Sequence, residues 1–334
     1  MNNSQNILTD RFGRKHNYLR ISLTERCNLR CSYCMPLEGV PLLPKNNLMN
    51  AEEIYAIAKL FVDEGVDKIR FTGGEPLLRK DFPEIIERLS VLPIKMSMTT
   101  NGITIDRHIS LLKKYNLKTV NLSLDTLDAE KFKDITFRDY FQRVYDNILL
   151  LLNEDFQVKI NVVLMKNVND NEIIDFIKFT QNHNVIVRFI EFMPFDGNQW
   201  DREKTVSYDE IMNLVHQNFT AENIVRLQDE AHDTTRNFKI NGFKGSFGII
   251  STVTNPFCDT CNRIRLTANG QLKNCLFSAT ESDLLTPFRN HEDIKPLIKK
   301  AVLGKFAMRG GLSDEEFINP LEHVENRSMI RIGG

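Results

Sequence analysis

Tyr18-Leu19-Arg20-Ile21-Ser22-Leu23-Thr24-Glu25-Arg26-Cys27-Asn28-Leu29-Arg30-Cys31-Ser32-Tyr33-Cys34 joins an apolar, strand-like run directly to three cysteines spaced C-x3-C-x2-C. A second trio, Cys258, Cys261 and Cys275, is spaced C-x2-C-x13-C and completes the six cysteines of the chain. Iron–sulfur clusters are held by cysteine thiolates, and a four-iron cube normally takes four of them. A trio leaves one iron without a protein ligand, free to bind a small molecule. Two trios predict two open clusters, one for a cofactor and one for a substrate.

Two plainer chemistries compete. Disulfides are rare in cytosolic proteins. The N-terminus MNNSQNILTDRFGRKH has no apolar core or small-residue cleavage site of a secretory signal. A chain of 334 residues also buries a sizeable core without staples. Zinc is the stronger rival, because C-x2-C is a common zinc half-site. A structural zinc takes four N/S ligands, however, and neither trio has a close fourth. His291 is the nearest candidate to the second trio and lies well past Cys275. On the residues alone zinc stays open, more so for the second trio than for the first.

Length suggests about two domains. The apolar fraction of 42% and charged fraction of 26% are those of an ordinary globular protein. A formal net charge of −1 provides no global field for nucleic acid or membrane, so an anionic ligand has to meet a local cluster of Arg and Lys. No apolar run approaches the roughly 18 residues of a membrane span. The expectation is a cytoplasmic protein with neither a nucleic-acid nor a membrane partner.

Outward from the first strand, short apolar runs alternate with helical patterns. The runs are Tyr18–Leu23, Lys68–Thr72, Lys95–Thr99, Thr119–Leu124, Val158–Met165 and Val185–Glu191. Between two of them, Asn50 and Glu53 form a capping box ahead of Ile54, Ile57, Ala58 and Phe61, and Gly65 stops the helix. Another helical pattern covers 169–181. Six βα units in series predict a parallel sheet with right-handed crossovers, fewer than the eight of a closed barrel. The expected fold is α/β, a partial (open) TIM-like barrel of about six βα units, with a doubly wound sheet as the alternative. Past about residue 195 the rhythm changes. Asn241-Gly242 and Asn269-Gly270 are two-residue hairpin signals. They predict a C-terminal antiparallel β plus helix domain closing the barrel, with domains of 1–220 and 221–334; the stretch from Trp200 to Arg226 fits either. The second trio spans the second hairpin.

In parallel α/β folds ligands sit at the C-terminal ends of the strands. Those ends here carry the cysteine loop, Thr72-Gly73-Gly74-Glu75-Pro76, Thr99-Thr100-Asn101-Gly102, Ser123 with Asp125, and Glu191-Phe192-Met193, while Lys159 lies on the fifth strand. Polar groups therefore gather on one rim. Arg263 and Arg265, two apart in a strand, point to one face beside Cys261.

C-x3-C-x2-C after a first strand, followed by GGEP after the second, resembles the radical S-adenosylmethionine (SAM) superfamily. Leu23–Pro36, Arg70–Pro76, Arg188–Met193, Phe257–Leu266 and the terminal Gly333-Gly334 together resemble the GTP 3′,8-cyclases of molybdenum-cofactor biosynthesis, over essentially the whole chain. The resemblance implies two 4Fe-4S clusters, one held by Cys27, Cys31 and Cys34 and the other by Cys258, Cys261 and Cys275. The first binds SAM and generates a 5′-deoxyadenosyl radical, and the second binds the guanine of GTP. The radical takes hydrogen from ribose C3′, and the new carbon radical attacks guanine C8. It implies SAM contacts at Tyr33, Gly73, Gly74, Glu75, Ser123 and Met193. GTP contacts follow at Arg20, Arg70, Thr99, Lys159, Arg263 and Arg265, with Arg20, Arg263 and Arg265 taking part in the reaction. It also implies an external electron donor, is compatible with a homodimer, and sends the tail Gly333-Gly334 back toward the active site. Each contact has a plainer counterpart: a solvated arginine face, a structural ion pair, a hydroxyl bonded only to backbone, a frayed tail. Arg26, Arg30, His16 and His183 read as surface or packing residues. Two other functions compete: a radical SAM enzyme that modifies peptides with an auxiliary cluster, and a zinc-stabilised or electron-carrying module without catalysis.

Overall fold

The computed structural model describes residues 6–36, 38–198, 200–313, 315–316 and 327–333. The first half alternates strands and helices: β1 Tyr18–Ser22, α1 Ala51–Asp63, β2 Lys68–Thr72, α2 Phe82–Leu89, β3 Lys95–Thr100, α3 Ile109–Lys114, β4 Thr119–Ser123, α4 Ala129–Thr136, α5 Phe141–Asn153, β5 Gln157–Leu164, α6 Ile173–Asn182 and β6 Ile186–Glu191. Then follow α7 Tyr208–Asn218, β7 Ile224–Arg226, β8 Arg236–Ile240, β9 Ser246–Ile250, β10 Arg263–Leu266, β11 Gln271–Lys273, β12 Ser282–Asp283, α8 Leu285–Arg289 and α9 Lys295–Leu303. The local chemistry explains the entries. Ahead of α1, Asn50 Oδ1 accepts from Glu53 N at 2.9 Å and Glu53 Oε2 accepts from Asn50 N at 2.8 Å. That reciprocal cap satisfies two of the helix's orphan donors and turns Ile54, Ile57, Ala58 and Phe61 into the core.

β1 to β6 pair in parallel and in sequence order, as six βα units require. The C-terminal strands differ from the expectation of a separate cap. The strand order is β12-β11-β10-β1-β2-β3-β4-β5-β6-β9-β8-β7. β10 joins β1 in parallel and β9 joins β6 in parallel. The antiparallel pairs foreseen, β8/β9 and β10/β11, extend the same sheet at its two margins. The result is a mixed α/β sheet that hydrogen bonds do not close, since β12 and β7 end it. The turns at Asn241-Gly242 and Asn269-Gly270 do reverse the chain, but within longer loops, 241–245 and 267–270. The stretch 200–226 yields α7, which lies beside α6.

β5 shows how the sheet divides its faces. Val158, Ile160, Val162 and Leu164 are buried in the core beneath the helices, while Lys159, Asn161 and Val163 alternate with them on the concave side. The period of two places every second residue of each strand in the bore.

Candidate functional site

The bore is one cavity of about 1200 Å³, and all six cysteines line it. They enter from opposite ends. Cys27, Cys31 and Cys34 follow β1 at the C-terminal end of the sheet. Because β10 runs parallel to β1, Cys258 and Cys261, which precede it, stand at the N-terminal end. The β10–β11 reversal brings Cys275 back to them. Five strand residues separate the ends, on the order of 16 Å at the usual rise.

The first trio sits in a braced loop. Gly74 N donates to Thr24 O at 2.7 Å and Glu75 N to Arg26 O at 2.7 Å. A Cβ on Gly74 would lie 2.3 Å from the Arg26 carbonyl oxygen, so only glycine allows the two loops to meet there. The expected consequence of Gly74→Ala is a loss of about 1–3 kcal/mol through overpacking. It should be read as a lowered thermal midpoint, with the cysteine loop the first segment to exchange its amide hydrogens. Glu75 is not brought to the cavity. Its fully buried carboxylate accepts from Asn101 N at 2.7 Å, Thr100 Oγ1 at 2.8 Å and Leu77 N at 3.1 Å, tying the end of β2 to that of β3. Burial raises Glu75 to about 7 in spite of those bonds.

Every other residue singled out from the sequence lines the bore: Tyr33, Gly73, Gly74, Ser123 and Met193 toward the first trio, and Arg20, Arg70, Thr99, Lys159, Arg263 and Arg265 along the strands. Register explains the grouping. Arg265, Arg20 and Arg70 are direct neighbours across β10, β1 and β2, with Arg263, Tyr18 and Lys68 one row below. Thr99, Asn121 and Lys159 form a row across β3, β4 and β5. Among the described residues, Arg20 Nε, Arg70 Nε and Arg263 Nη2 have no hydrogen-bond partner. Burial, then the charge of Arg265, pushes Arg20 well down, while Arg265 falls to about 10 through burial and Arg263. Among the described residues Arg20, Arg70, Arg263 and Arg265 form no ion pair, and cations packed this closely suit a polyanionic ligand.

The tail is partly in view. Arg265 Nη1 donates to the Gly333 carbonyl, and a Cβ on Gly333 (φ +79°) would meet Thr72 Oγ1 at 2.4 Å. Gly333 therefore does reach the bore's wall; Gly334 lies outside the described residues.

Several residues were given no role from the sequence, although Asp125 and Glu191 were placed on the polar rim. Tyr18 is buried under Lys68, Arg70 and Arg20, at 4.8, 5.4 and 5.7 Å from its ring centroid. Burial raises its phenol, but Arg70, Arg20 and Lys68 outweigh that and bring it to about 8. Arg188 on β6 donates to Asn161 Oδ1 at 2.6 Å and to Asn121 Oδ1; burial and Arg70 lower it to about 9. Alternation on β6 was the available signal, since Ile186, Arg188 and Ile190 share the bore face. Asp125 accepts from Tyr33 O–H at 2.8 Å and Val163 N at 2.9 Å, and burial raises it to about 6. The carboxylate of Glu191 accepts from Val253 N at 2.7 Å, Thr254 N at 3.0 Å and Thr254 Oγ1, fixing the loop that leads to Cys258. His16, read as a packing residue, is one: it is buried 3.2 Å from Asp10.

The donor set suits thiolate-held iron. All six cysteines are free. Cys27 Sγ accepts from Leu29 N at 3.5 Å and Asn101 Nδ2 at 3.8 Å, and Cys261 Sγ accepts from Lys305 Nζ at 3.4 Å. Among the described residues, no three His, Cys, Asp or Glu side chains converge closely enough for a single metal ion. Nor is any described helix long and apolar enough to cross a membrane.

Two family models match the chain. Residues 21–180 match the family described as the radical SAM superfamily, and residues 185–309 match Molybdenum Cofactor Synthesis C. A GTP 3′,8-cyclase of Listeria welshimeri is 43% identical, with 98% of this chain and 99% of that protein covered. The mitochondrial GTP 3′,8-cyclase of Arabidopsis thaliana is 46% identical, with 98% and 84% covered. The chain spans about half the length of other curated relatives, among them the molybdenum cofactor biosynthesis protein 1 of Dictyostelium discoideum and of Drosophila melanogaster. Among solved structures, Streptococcus suis SuiB bound to S-adenosylmethionine aligns with a TM-score of 0.59 at 19% identity, over 81% of this chain and 65% of that one. At that identity the likeness is one of fold.

Proposed function

We propose that this chain, which belongs to the GTP 3′,8-cyclase family of the radical SAM superfamily, converts GTP to (8S)-3′,8-cyclo-7,8-dihydroguanosine 5′-triphosphate, the first step of molybdenum-cofactor biosynthesis. The observation that carries the proposal is the pair of cysteine trios opening into one bore from opposite ends, with arginines between them of which Arg20, Arg70 and Arg263 each keep one buried nitrogen without a hydrogen-bond partner among the described residues. Cys27, Cys31 and Cys34 hold one 4Fe-4S cluster and Cys258, Cys261 and Cys275 the other. The first cluster with SAM, fed by an external electron donor, supplies a 5′-deoxyadenosyl radical. Tyr33, Gly73, Gly74, Ser123 and Met193 orient SAM, and Asp125 fixes the Tyr33 ring through its hydroxyl. Glu75 acts one step back, by bracing the turn. Arg263 and Arg265 hold the nucleotide next to the second trio; Arg20, Arg70, Lys159 and Arg188 grip its phosphates, and Thr99 adds a hydroxyl. The walls of the bore keep water from the reacting ribose. In this scheme residues 1–220 carry the partial barrel and radical chemistry, and 221–334 close the barrel and bind substrate. We place the protein in the cytoplasm.

The peptide-modifying alternative is not favoured: the cyclases match at 43–46% identity along nearly the whole chain, whereas SuiB, solved with a precursor peptide, is similar in fold alone. The test is anaerobic incubation with SAM, reductant and GTP. The expected result is 5′-deoxyadenosine together with loss of GTP; 5′-deoxyadenosine without consumption of GTP contradicts the assignment.

Lys159 adds a pH dependence. Burial, then Arg188 and Arg70, lowers it to about 8, and only the ammonium form attracts phosphate. GTP affinity is therefore expected to be highest below that value and to fall, by up to about tenfold per pH unit, as pH rises through it. In Lys159→Met the fall should be shallower, reduced to the part that Tyr18, also brought to about 8, contributes. Anaerobic titration calorimetry across the range checks both curves.

A further inference from the structure

The two trios meet different charges. Around the first, the carboxylates lead: Glu75 acts on Cys27 ahead of the opposing charge of Arg30, and Asp125 acts on Cys31 and Cys34, with the Tyr33 hydroxyl bonded at Cys31. Cys27 Sγ accepts from a backbone amide and from the Asn101 amide, both neutral. At the second trio the donor is a cation. Lys305 is 2% exposed, and its Nζ donates to Cys261 Sγ at 3.4 Å and to the Arg263 carbonyl at 3.0 Å.

This lysine is held in place from both sides. Its amide donates to Val302 O at 3.1 Å, at the exit of α9. The next two residues are clamped by Arg14, which donates to Phe306 O at 2.7 Å, Ala307 O at 2.8 Å and Cys258 O at 2.8 Å. Asp10 in turn accepts from Arg14 Nε at 2.6 Å and lies 3.2 Å from His16. One chain of contacts thus locks the N-terminal segment, the Lys305 turn and the cysteine pair together. Burying an ammonium is costly unless a partner offsets it, and the partner here is a cluster ligand.

Reduction adds one negative charge to an iron–sulfur cluster, and its potential responds to net charge and to hydrogen bonds on the sulfurs. We propose that Lys305 is a positioning residue of the second cluster, whose ammonium, bonded to Cys261, raises that cluster's reduction potential above that of the first. The second cluster then keeps its electron while the first remains the stronger reductant. This rests on the assignment of a cluster to the second trio.

The test is a redox titration followed by electron paramagnetic resonance, in protein carrying Cys27→Ala, Cys31→Ala and Cys34→Ala so that the second trio alone binds iron. Lys305→Met should move the midpoint to a more negative potential and Lys305→Arg should leave it nearly in place. In protein carrying Cys258→Ala, Cys261→Ala and Cys275→Ala, Lys305→Met should leave the first cluster's midpoint unchanged. An unmoved midpoint in Lys305→Met with iron retained overturns the proposal and leaves the cluster assignment intact. Absence of iron from the second trio with Lys305 present overturns both. A second measurement needs no substitution at Lys305: the second cluster's midpoint should lie above the first's, and the reverse order also overturns the proposal.

Discussion

Cys275→Ser is expected to reduce cyclisation of GTP to background while SAM cleavage by the first cluster continues. Cys275 returns from the β10–β11 reversal to meet Cys258 and Cys261 at the N-terminal end of the bore, and Cys27, Cys31 and Cys34 occupy the other end. The length of the bore separates the two centres, so damage at one need not reach the other. The assay is anaerobic turnover with SAM, reductant and GTP, following 5′-deoxyadenosine and cyclic product separately. Normal product from the variant contradicts the role of the second trio. Loss of both products together with a lowered thermal midpoint marks unfolding, and the ratio of the two products decides only while the midpoint is retained.

Arg263→Ala combined with Arg265→Ala is expected to weaken GTP binding by about 100- to 10,000-fold. Hydrogen bonds to charged groups contribute about 1.5–3 kcal/mol each, and each 1.4 kcal/mol or so is tenfold. The residues share one strand face, and Arg263 stacks over Phe257 at 5.0 Å while Arg265 holds the Gly333 carbonyl. The double variant therefore removes two cations proposed to hold the nucleotide, together with the bond from Arg265 to the tail. SAM affinity should not change, since Ser123, Met193 and Tyr33 stand toward the opposite end. Equilibrium binding of both nucleotides, measured separately, checks the two halves. Unchanged GTP affinity would remove the arginine pair from the site.

The sequence carried the local structure and left the long-range pairing unreadable. Strand ends such as Lys68–Thr72 coincide with the apolar run, because flanking helix caps and Gly65 punctuate it. The cysteine loop was legible as well, since it follows a strand at a fixed spacing. β9 and β10 were not, because nothing in Ser246–Ile250 or Arg263–Leu266 names its partner. A strand pairs through backbone groups common to every residue, so β10 could have lain in a separate cap as easily as beside β1. That pairing matters to function, because it sets Arg265 next to Arg20 and sends the two trios to opposite ends of the bore. Arg188 was legible only through alternation once β6 faced the bore. Tyr18 and Asp125 needed the three-dimensional neighbours, Arg70 for the one and Tyr33 for the other. Glu75 was assigned from its motif to the ligand, and the bonds to Thr100 and Asn101 turn it instead toward the neighbouring strand.

Iron and zinc analysis of protein prepared without oxygen, on the unsubstituted chain and on variants lacking each cysteine trio, tests the two-cluster site most directly. The account predicts about eight irons per chain, as two four-iron cubes require, no stoichiometric zinc, and about half that iron when either trio is replaced. A total near four irons that disappears with the first trio alone, or zinc bound at the second, would contradict it.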